Sequence, residues 1–454
     1  MLNHIPLSWK NANVTMIHKA QKDPKNVNSY RPISLLNTLS KLLERVITNR
    51  LNSWIYENKI LSDYQSGFRK TMSTKDHLLR LTQECQQAFN RNKSVGALFV
   101  DIEKAFDKVW INGLIYKLYQ LNLPKYLGCW IKNYLNGRSF QVRSRHGSSS
   151  SKKIRASVPQ GSITGPVLFL IFFNDITNNF INLNSISLAL YADDLAAWTA
   201  SEYLYSIEKN LQLVCDAIYK WSIKWRTCVS ILKTVVTIFN KNGKSASIRV
   251  FLGENQIEYE KNPKLLGIIF DQGLNFSKHV DSICVRTQRR LSMLANMRGK
   301  RWGLSSQLLI TAYKVLVRSI FDYSSFVLIS IAPPNLKKIN MVQNRAIRIA
   351  TYWPPGYSTS QMLKITHLDS LYLRSICLSV NYLNKSLAYN NSTIEMFIDY
   401  IMAYQVNEGA ITKTHKVIRR TIIGKIVELP PIVLNKKRLT ATEYMAICDW
   451  GVAN

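Results

Sequence analysis

The sequence predicts an α+β protein whose last third is helical. Two patterns carry this. Short apolar runs that end in acidic residues, Val95 to Asp101 and Ile186 to Asp194, each have the length of one buried strand, and after Asn275 strand patterning gives way to helical periodicity. Composition agrees: 46% hydrophobic and 11% aromatic residues, with only 18 Gly and 13 Pro among 454, offer enough apolar surface to offset the entropy of ordering. A disordered, collagen-like or mucin-like polymer is thereby excluded. A chain of this length is expected to divide into two or three domains.

Residues 1–94 are polar and basic, with turn signals at Lys22-Asp23-Pro24 and from Asn28 to Pro32, then helices over Leu39 to Tyr56 and Lys75 to Asn90. The first buried strand, Val95 to Asp101, follows. Between it and the second lie a hairpin, Ser139 to Arg145 with Lys153 to Val158, and a helix from Ser162 to about Asn174. Tyr203 to Arg226 has the apolar spacing of a long amphipathic helix. Strands are then expected over Thr234 to Phe239, Ser247 to Leu252 and Lys264 to Phe270. No repeat period or low-complexity tract is present.

The 60 Lys and Arg against 28 Asp and Glu leave a net charge of +32, which calls for a polyanionic partner because each cation set on a phosphate releases counterions. The excess is concentrated between residues 281 and 350. Arg286, Arg289, Arg290, Arg298, Lys300 and Arg301, with six further Lys and Arg, are answered there only by Asp281 and Asp322. A single run of charge is ordinarily a solvated helical face, but a whole subdomain so unbalanced points to a nucleic-acid backbone. Seven widely spaced cysteines form no CxxC or Cys/His cluster, so neither a disulfide framework nor a zinc finger is supported. Met1 to Val14 holds no apolar run of signal-peptide length, and the longest apolar stretch, Gly165 to Phe173, is about half the roughly 18 residues of a membrane span. The expectation is an intracellular protein of nucleus or cytoplasm, neither secreted nor membrane-bound.

Two acidic sites carry the chemistry. Phe99-Val100-Asp101-Ile102 ends an apolar strand with a carboxylate, and Tyr191-Ala192-Asp193-Asp194-Leu195 sets two more in a tight turn between apolar runs. One Asp at a strand end is usually a turn or cap residue. Two such sites in so basic a chain are different, because buried charge of one sign needs a counterion. If the strands are sheet neighbours, Asp101 and Asp193 meet at one edge and could hold two divalent cations roughly 3.5 to 4 Å apart, the arrangement that serves phosphoryl transfer. Mg²⁺ suits carboxylate oxygens shared with substrate phosphates.

These motifs, in order and spacing, resemble those of reverse transcriptases of jockey-like non-LTR retrotransposons: Phe99 to Trp110 (FVDIEKAFDKVW), Val158 to Ser162 (VPQGS) with Gly165-Pro166, and Tyr191 to Asp194 (YADD). The likeness begins at Trp9-Lys10. It takes in Ser29 to Leu36, Tyr64 to Arg69 (YQSGFR) and Ser73-Thr74, and continues through Trp221, Trp225, Lys233-Thr234, Leu266-Gly267 and Leu274 to His279 into the basic helical part. The resemblance implies a right-hand polymerase with an antiparallel palm sheet: fingers over 1–94, incomplete at the N-terminus, palm over 95–275, helical thumb over 276–390, and a C-terminal extension, 391–454, of unassigned role. It implies DNA synthesis from dNTPs on an RNA template and a DNA primer. The upstream endonuclease of such polyproteins has no counterpart here, so the chain is expected to be an N-terminally truncated segment.

The site residues follow from the same resemblance. Asp101 and Asp193, with Asp194 and the Ile102 carbonyl, would bind two Mg²⁺ ions, Mn²⁺ being a substitute. Lys19 and Arg31 match fingers positions that hold the triphosphate, Arg being suited to bidentate phosphate contact. Gln160 and Gly161 match the nucleotide-facing turn, and Lys233 the proton donor to departing pyrophosphate. Phe106 stands where DNA-building members have a bulky aromatic that excludes the ribose 2′-OH. Departures from the pattern are Met72 for Arg, Thr164 for Leu, and Cys228 to Leu232 in place of an Asn-Pro-like stretch. None removes a metal ligand. The alternative expectation is a catalytically silent, nucleic-acid-binding remnant of such an element.

Overall fold

A computed structural model describes residues 4–19, 22–70, 72–144, 147–180, 183, 185–243, 246–299, 303–354, 356–388, 433–434 and 437–438. The chain forms two compact units: Met1–His77 with Val95–Val236 and Ser247–Tyr259, and Leu78–Ser94 with Thr237–Ala246 and Glu260–Asn454.

Most of a five-stranded sheet, in the order Glu258–Tyr259, Val235–Phe239, Ser94–Val100, Asp194–Ser201, Ser187–Tyr191, belongs to the first unit. Ser94–Val100 is buried from Val95 onward, as an apolar run covered on both faces should be. Ser187–Tyr191 and Asp194–Ser201 are an antiparallel hairpin in which Tyr191 opposes Asp194, so Ala192-Asp193 is a two-residue loop. The outermost pair is parallel, Glu258 opposite Val235, so antiparallel pairing does not run through the whole sheet. Helix Leu204–Lys224 packs on the Asp194–Ser201 strand. Helix Gly165–Asn174 is apolar all round and buried at every position from Val167 to Phe173, as a helix with no polar face must be.

That helix starts at Gly165, three residues later than expected. The Ser162 hydroxyl accepts the Gly165 N–H and donates to the Pro159 carbonyl, both at 2.9 Å, so Ser162 ends the preceding turn. Thr164, one departure from the family pattern, is fully buried and accepts a hydrogen bond from Thr48 Oγ1 at 3.1 Å. Where that helix meets Leu204–Lys224, the buried Lys117 ammonium lies 3.7 Å from the Trp225 ring centroid, 2.6 Å from Asp175 Oδ1, and against the Phe172 carbonyl. Burial depresses it to about 8, against the pull of Asp175.

The expected hairpin has an additional partner. Ser139–Ser144 pairs with Lys152–Lys153 and with Gly147–Ser148, but it also lies parallel to Asn11–His18, which is itself antiparallel to Tyr30–Leu35. Val158 leaves the hairpin and donates its N–H to the Phe106 carbonyl. Of Ser247 to Leu252 only Phe251–Leu252 is strand.

In the second unit, Lys264 to Phe270 is not one strand. Lys264–Leu265 and Ile268–Ile269 fold back on each other around Leu266 and Gly267, whose φ angles of +45° and +82° no strand accommodates. The helices Ser277–Arg298, Ser306–Tyr313, Pro333–Thr351 and Leu371–Ala388 follow; the first and third pack together, and Val280, Ile283, Ile339 and Ile347 on them are buried. Apart from the pair Val433–Leu434 with Lys437–Arg438, the expected C-terminal extension lies outside the described residues. Among the described residues no helix is long and apolar enough to cross a membrane, and the six cysteines are free thiols.

Candidate active site

The two acidic segments meet at one end of the central sheet. Ser94–Val100 and Asp194–Ser201 are neighbouring strands; Asp101 directly follows the first, and the Ala192-Asp193 loop directly precedes the second. Asp101 is close enough to raise both of the other carboxyls. Asp194 is pushed up to about 6, by burial first and then by Asp193 and Asp101, with Lys233 opposing. Asp193 is also raised, chiefly by burial, with Asp101 adding to the rise while a backbone hydrogen bond and Lys233 counter it. Among the described residues the cation in direct contact is Lys233, whose Nζ lies 2.8 Å from Asp101 Oδ2.

Lys233 reaches Asp101 because residues 228–230 pair with 101–103. The Glu103 N–H donates to the Cys228 carbonyl and the Ser230 N–H to the Asp101 carbonyl, both at 2.8 Å, flanking a bridge between Ile102 and Val229. In this antiparallel arrangement Ile102's own carbonyl points away from the 228–230 segment. Part of the stretch that departs from the family's usual sequence, 228–230, is therefore backbone paired with 101–103. Among the described residues no group of three or more His, Cys, Asp or Glu side chains is gathered as a ready metal cage.

Four of the expected nucleotide residues share one cavity. It measures about 320 Å³ and is lined by Arg31, Phe106, Pro159, Gln160, Gly161 and Pro166. Phe106 is half-buried, stacked on Phe169 and met edge-on by Phe68 at 6.4 Å. The Gln160 carbonyl accepts the Ser34 N–H at 2.8 Å, tying the turn to the Arg31 strand. Gly161 has φ +107°, and a β-carbon there would sit 2.6 Å from the Ser34 carbonyl oxygen, so the approach requires glycine. Lys19 is not in the cavity wall; its Nζ bonds the Asn28 carbonyl at 2.8 Å.

In the second unit Arg286, Arg289 and Arg290 are exposed on helix Ser277–Arg298, while Arg298 lies 3.8 Å over the Tyr352 ring. Lys300 and Arg301 lie outside the described residues. Arg318, counted in the charge excess, is largely buried against Asp322, which also takes Arg374 at 3.2 Å.

Three residues of the site carried no assignment from sequence. Gln65 is buried against the Ala192 loop, and Phe68 borders Phe106. Asp107 accepts a 3.2 Å bond from Gln160 Nε2, and burial raises its carboxyl against the pull of Lys104 and Gln160. Gln65 and Phe68 stand in the YQSGFR motif and Asp107 in the FVDIEKAFDKVW motif, so the signal was present but had no geometry attached.

A sheet end at which Asp101 and Asp193 oppose ionisation of Asp194, in a unit that also holds an Arg-lined cavity, is a polymerase-like arrangement, and the match to known families is specific. The chain belongs to the reverse transcriptase family: the family described as "Reverse transcriptase (RNA-dependent DNA polymerase)" matches residues 17–270, which contain both acidic segments and the whole cavity. Membership brings with it the right-hand polymerase fold. The relatives are mobile elements. Over 354 residues the chain is 35% identical to the probable RNA-directed DNA polymerase from transposon BS of Drosophila melanogaster, covering 77% of this chain and 39% of that protein. It is 33% identical over 353 residues to the RNA-directed DNA polymerase from mobile element jockey of the same species, covering 76% and 38%. The chain thus spans about two-fifths of the length of these relatives. Apo telomerase from Candida tropicalis is a similar solved structure, with 11% identity, a TM-score of 0.45, and coverage of 90% of this chain and 68% of that one.

Proposed function

We propose that the chain is the RNA-directed DNA polymerase of a jockey-like non-LTR retrotransposon, adding deoxynucleotides from dNTPs to the 3′-OH of a DNA primer on an RNA template. The observation that carries this reading is the convergence of Arg31, Phe106, Gln160 and Gly161 on one cavity, although they are spread over 130 positions of sequence. The domain reading remains fingers over 1–94, palm over 95–275 and thumb over 276–390.

The donor set at the sheet end suits a hard divalent cation. Burial and the neighbouring carboxylates raise Asp193 and Asp194, and Lys233 is bonded to Asp101. Mg²⁺ is commonly held by one or two carboxylates plus substrate phosphates, so a pair such as Asp101 and Asp193, with the Ile102 carbonyl, is sufficient. Two such ions, or Mn²⁺ in their place, would stabilise the attacking and leaving oxygens.

The remaining roles belong to the chain. Arg31 grips the triphosphate through paired N–H donors. The 160–161 turn presents backbone to the nucleotide, with Asp107 holding the Gln160 amide by its Nε2. Phe106 excludes a 2′-hydroxyl. Lys233 donates a proton to pyrophosphate once Asp101 releases its Nζ, and Lys19 reaches the triphosphate tail from outside the cavity. Arg286, Arg289, Arg290 and Arg298 would bind the template-primer backbone, and Lys300 and Arg301, outside the described residues, are proposed for the same role from sequence.

The test is primer extension by the purified chain on an RNA template with a DNA primer, dNTPs and Mg²⁺. Extension that Asp193→Asn abolishes is the expected result. Salt-sensitive binding of template-primer by a folded chain that extends nothing would overturn the reading in favour of a silent remnant.

A further inference from the structure

The loop that carries Asp193 is gripped from outside its own hairpin. Ala192, the first of its two residues, has φ +56°, a left-handed conformation that a two-residue hairpin loop ordinarily gives to glycine. An L residue holds it only where its surroundings impose it. The surroundings here are the Tyr64–Gly67 segment. Gln65 is 1% exposed; its Oε1 accepts the Ala192 N–H at 3.0 Å and its Nε2 donates to the Ala192 carbonyl at 3.3 Å. The same Oε1 accepts the Gly67 N–H at 2.8 Å, which orients the carboxamide.

The backbone of that segment is bonded to the hairpin as well. The Ser66 N–H donates to the Leu190 carbonyl at 2.8 Å and the Leu190 N–H to the Tyr64 carbonyl at 2.9 Å. Gly67 approaches so closely that a β-carbon would lie 2.2 Å from the Ala192 nitrogen. Of the side chains of this length, only a carboxamide can serve both the N–H and the C=O of one residue. An ionised Glu accepts but cannot donate, and Leu does neither.

We propose that Gln65 is a positioning residue of the polymerase site: its carboxamide imposes the left-handed conformation of Ala192 and so sets where Asp193 is held relative to Asp101. Its effect on synthesis rests on the polymerase reading above; its effect on the loop does not.

The experiment compares the full chain with Gln65→Leu, Gln65→Glu and the double variant Gln65→Leu/Ala192→Gly. Three quantities are read: amide hydrogen exchange in the peptide spanning 190–195, Mn²⁺ binding to the free chain by electron paramagnetic resonance, and steady-state primer extension. Loss of both bonds in Gln65→Leu should speed exchange, weaken Mn²⁺ and lower kcat, each by about tenfold, while KM for dNTP moves less than about threefold. Gln65→Glu, which keeps the acceptor, should still lower kcat and decides the question if Gln65→Leu does not fold. Ala192→Gly should return Mn²⁺ affinity and kcat most of the way, because glycine adopts positive φ without steric strain. Wild-type exchange and kcat in a folded Gln65→Leu chain, or no recovery in the double variant, would overturn the proposal. If the wild type fails to extend a primer, the polymerase reading falls while exchange and Mn²⁺ binding still decide the clamp.

Discussion

Phe106 stacks on Phe169 with 4.7 Å between ring centroids and 28° between ring planes, so the aromatic wall of the cavity is braced from behind by a buried helix. A braced ring excludes an added hydroxyl better than a mobile one. Phe106→Ala is therefore expected to raise ribonucleotide incorporation relative to deoxynucleotide by roughly 10- to 200-fold in single-nucleotide extension, the range open to steric discrimination. Phe169→Leu should produce a smaller change of the same sign. An unchanged sugar preference in Phe106→Ala removes the residue from this role.

Lys233 and Asp101 form an ion pair whose lysine is mostly exposed, so it contributes little to folding. If Lys233 protonates pyrophosphate, Lys233→Ala should lower kcat by about 10²-fold and leave the melting temperature almost unmoved. Equal rates for mutant and wild type in single-turnover extension would assign the lysine to charge balance alone.

Gly161→Ala places a methyl 2.6 Å from the Ser34 carbonyl at a φ that L residues avoid. The turn must shift away from the strand that carries Arg31. KM for dNTP should rise by about tenfold or more, since displacement of positioning groups by even 1 Å is costly. A wild-type KM would show that the turn is not part of the nucleotide site.

In the second unit His279 is buried, with its Nε2 2.8 Å from Ser324 Oγ, and burial lowers its pKa to about 4, with Arg286 and Lys264 adding to the effect. The unfolded chain, with a pKa near 6.5, binds the proton first as pH falls. Stability contributed by the neutral ring is thus complete above about pH 6.5 and is lost progressively toward pH 4, by about 2 kcal/mol at pH 5. Urea unfolding at pH 7 and pH 5 should show this loss, and His279→Gln should remove most of it. An identical pH dependence in the variant would place the titration elsewhere.

The elements legible in sequence were those with a local cause. The helices expected over Leu39 to Tyr56 and Tyr203 to Arg226 are found over Thr38–Glu57 and Leu204–Lys224, because apolar spacing along one face suffices to define them. Lys264 to Phe270 misled because its composition suits a strand while Leu266 and Gly267 turn at positive φ. The parallel union of Asn11–His18 with Ser139–Ser144 was invisible for a different reason. It joins segments more than a hundred residues apart, and neither carries a mark of its partner.

The sequence by itself determined the family, the order of the acidic segments, the aromatic at 106 and the basic excess, all of which are properties of residue type and spacing. Only the tertiary structure decided that Arg31, Phe106, Gln160 and Gly161 share a cavity, that Lys233 meets Asp101, and that Gln65 holds Ala192 from 127 positions away. Spacing along a chain records local periodicity, whereas a carboxamide facing a strained loop depends on how distant strands are brought into register.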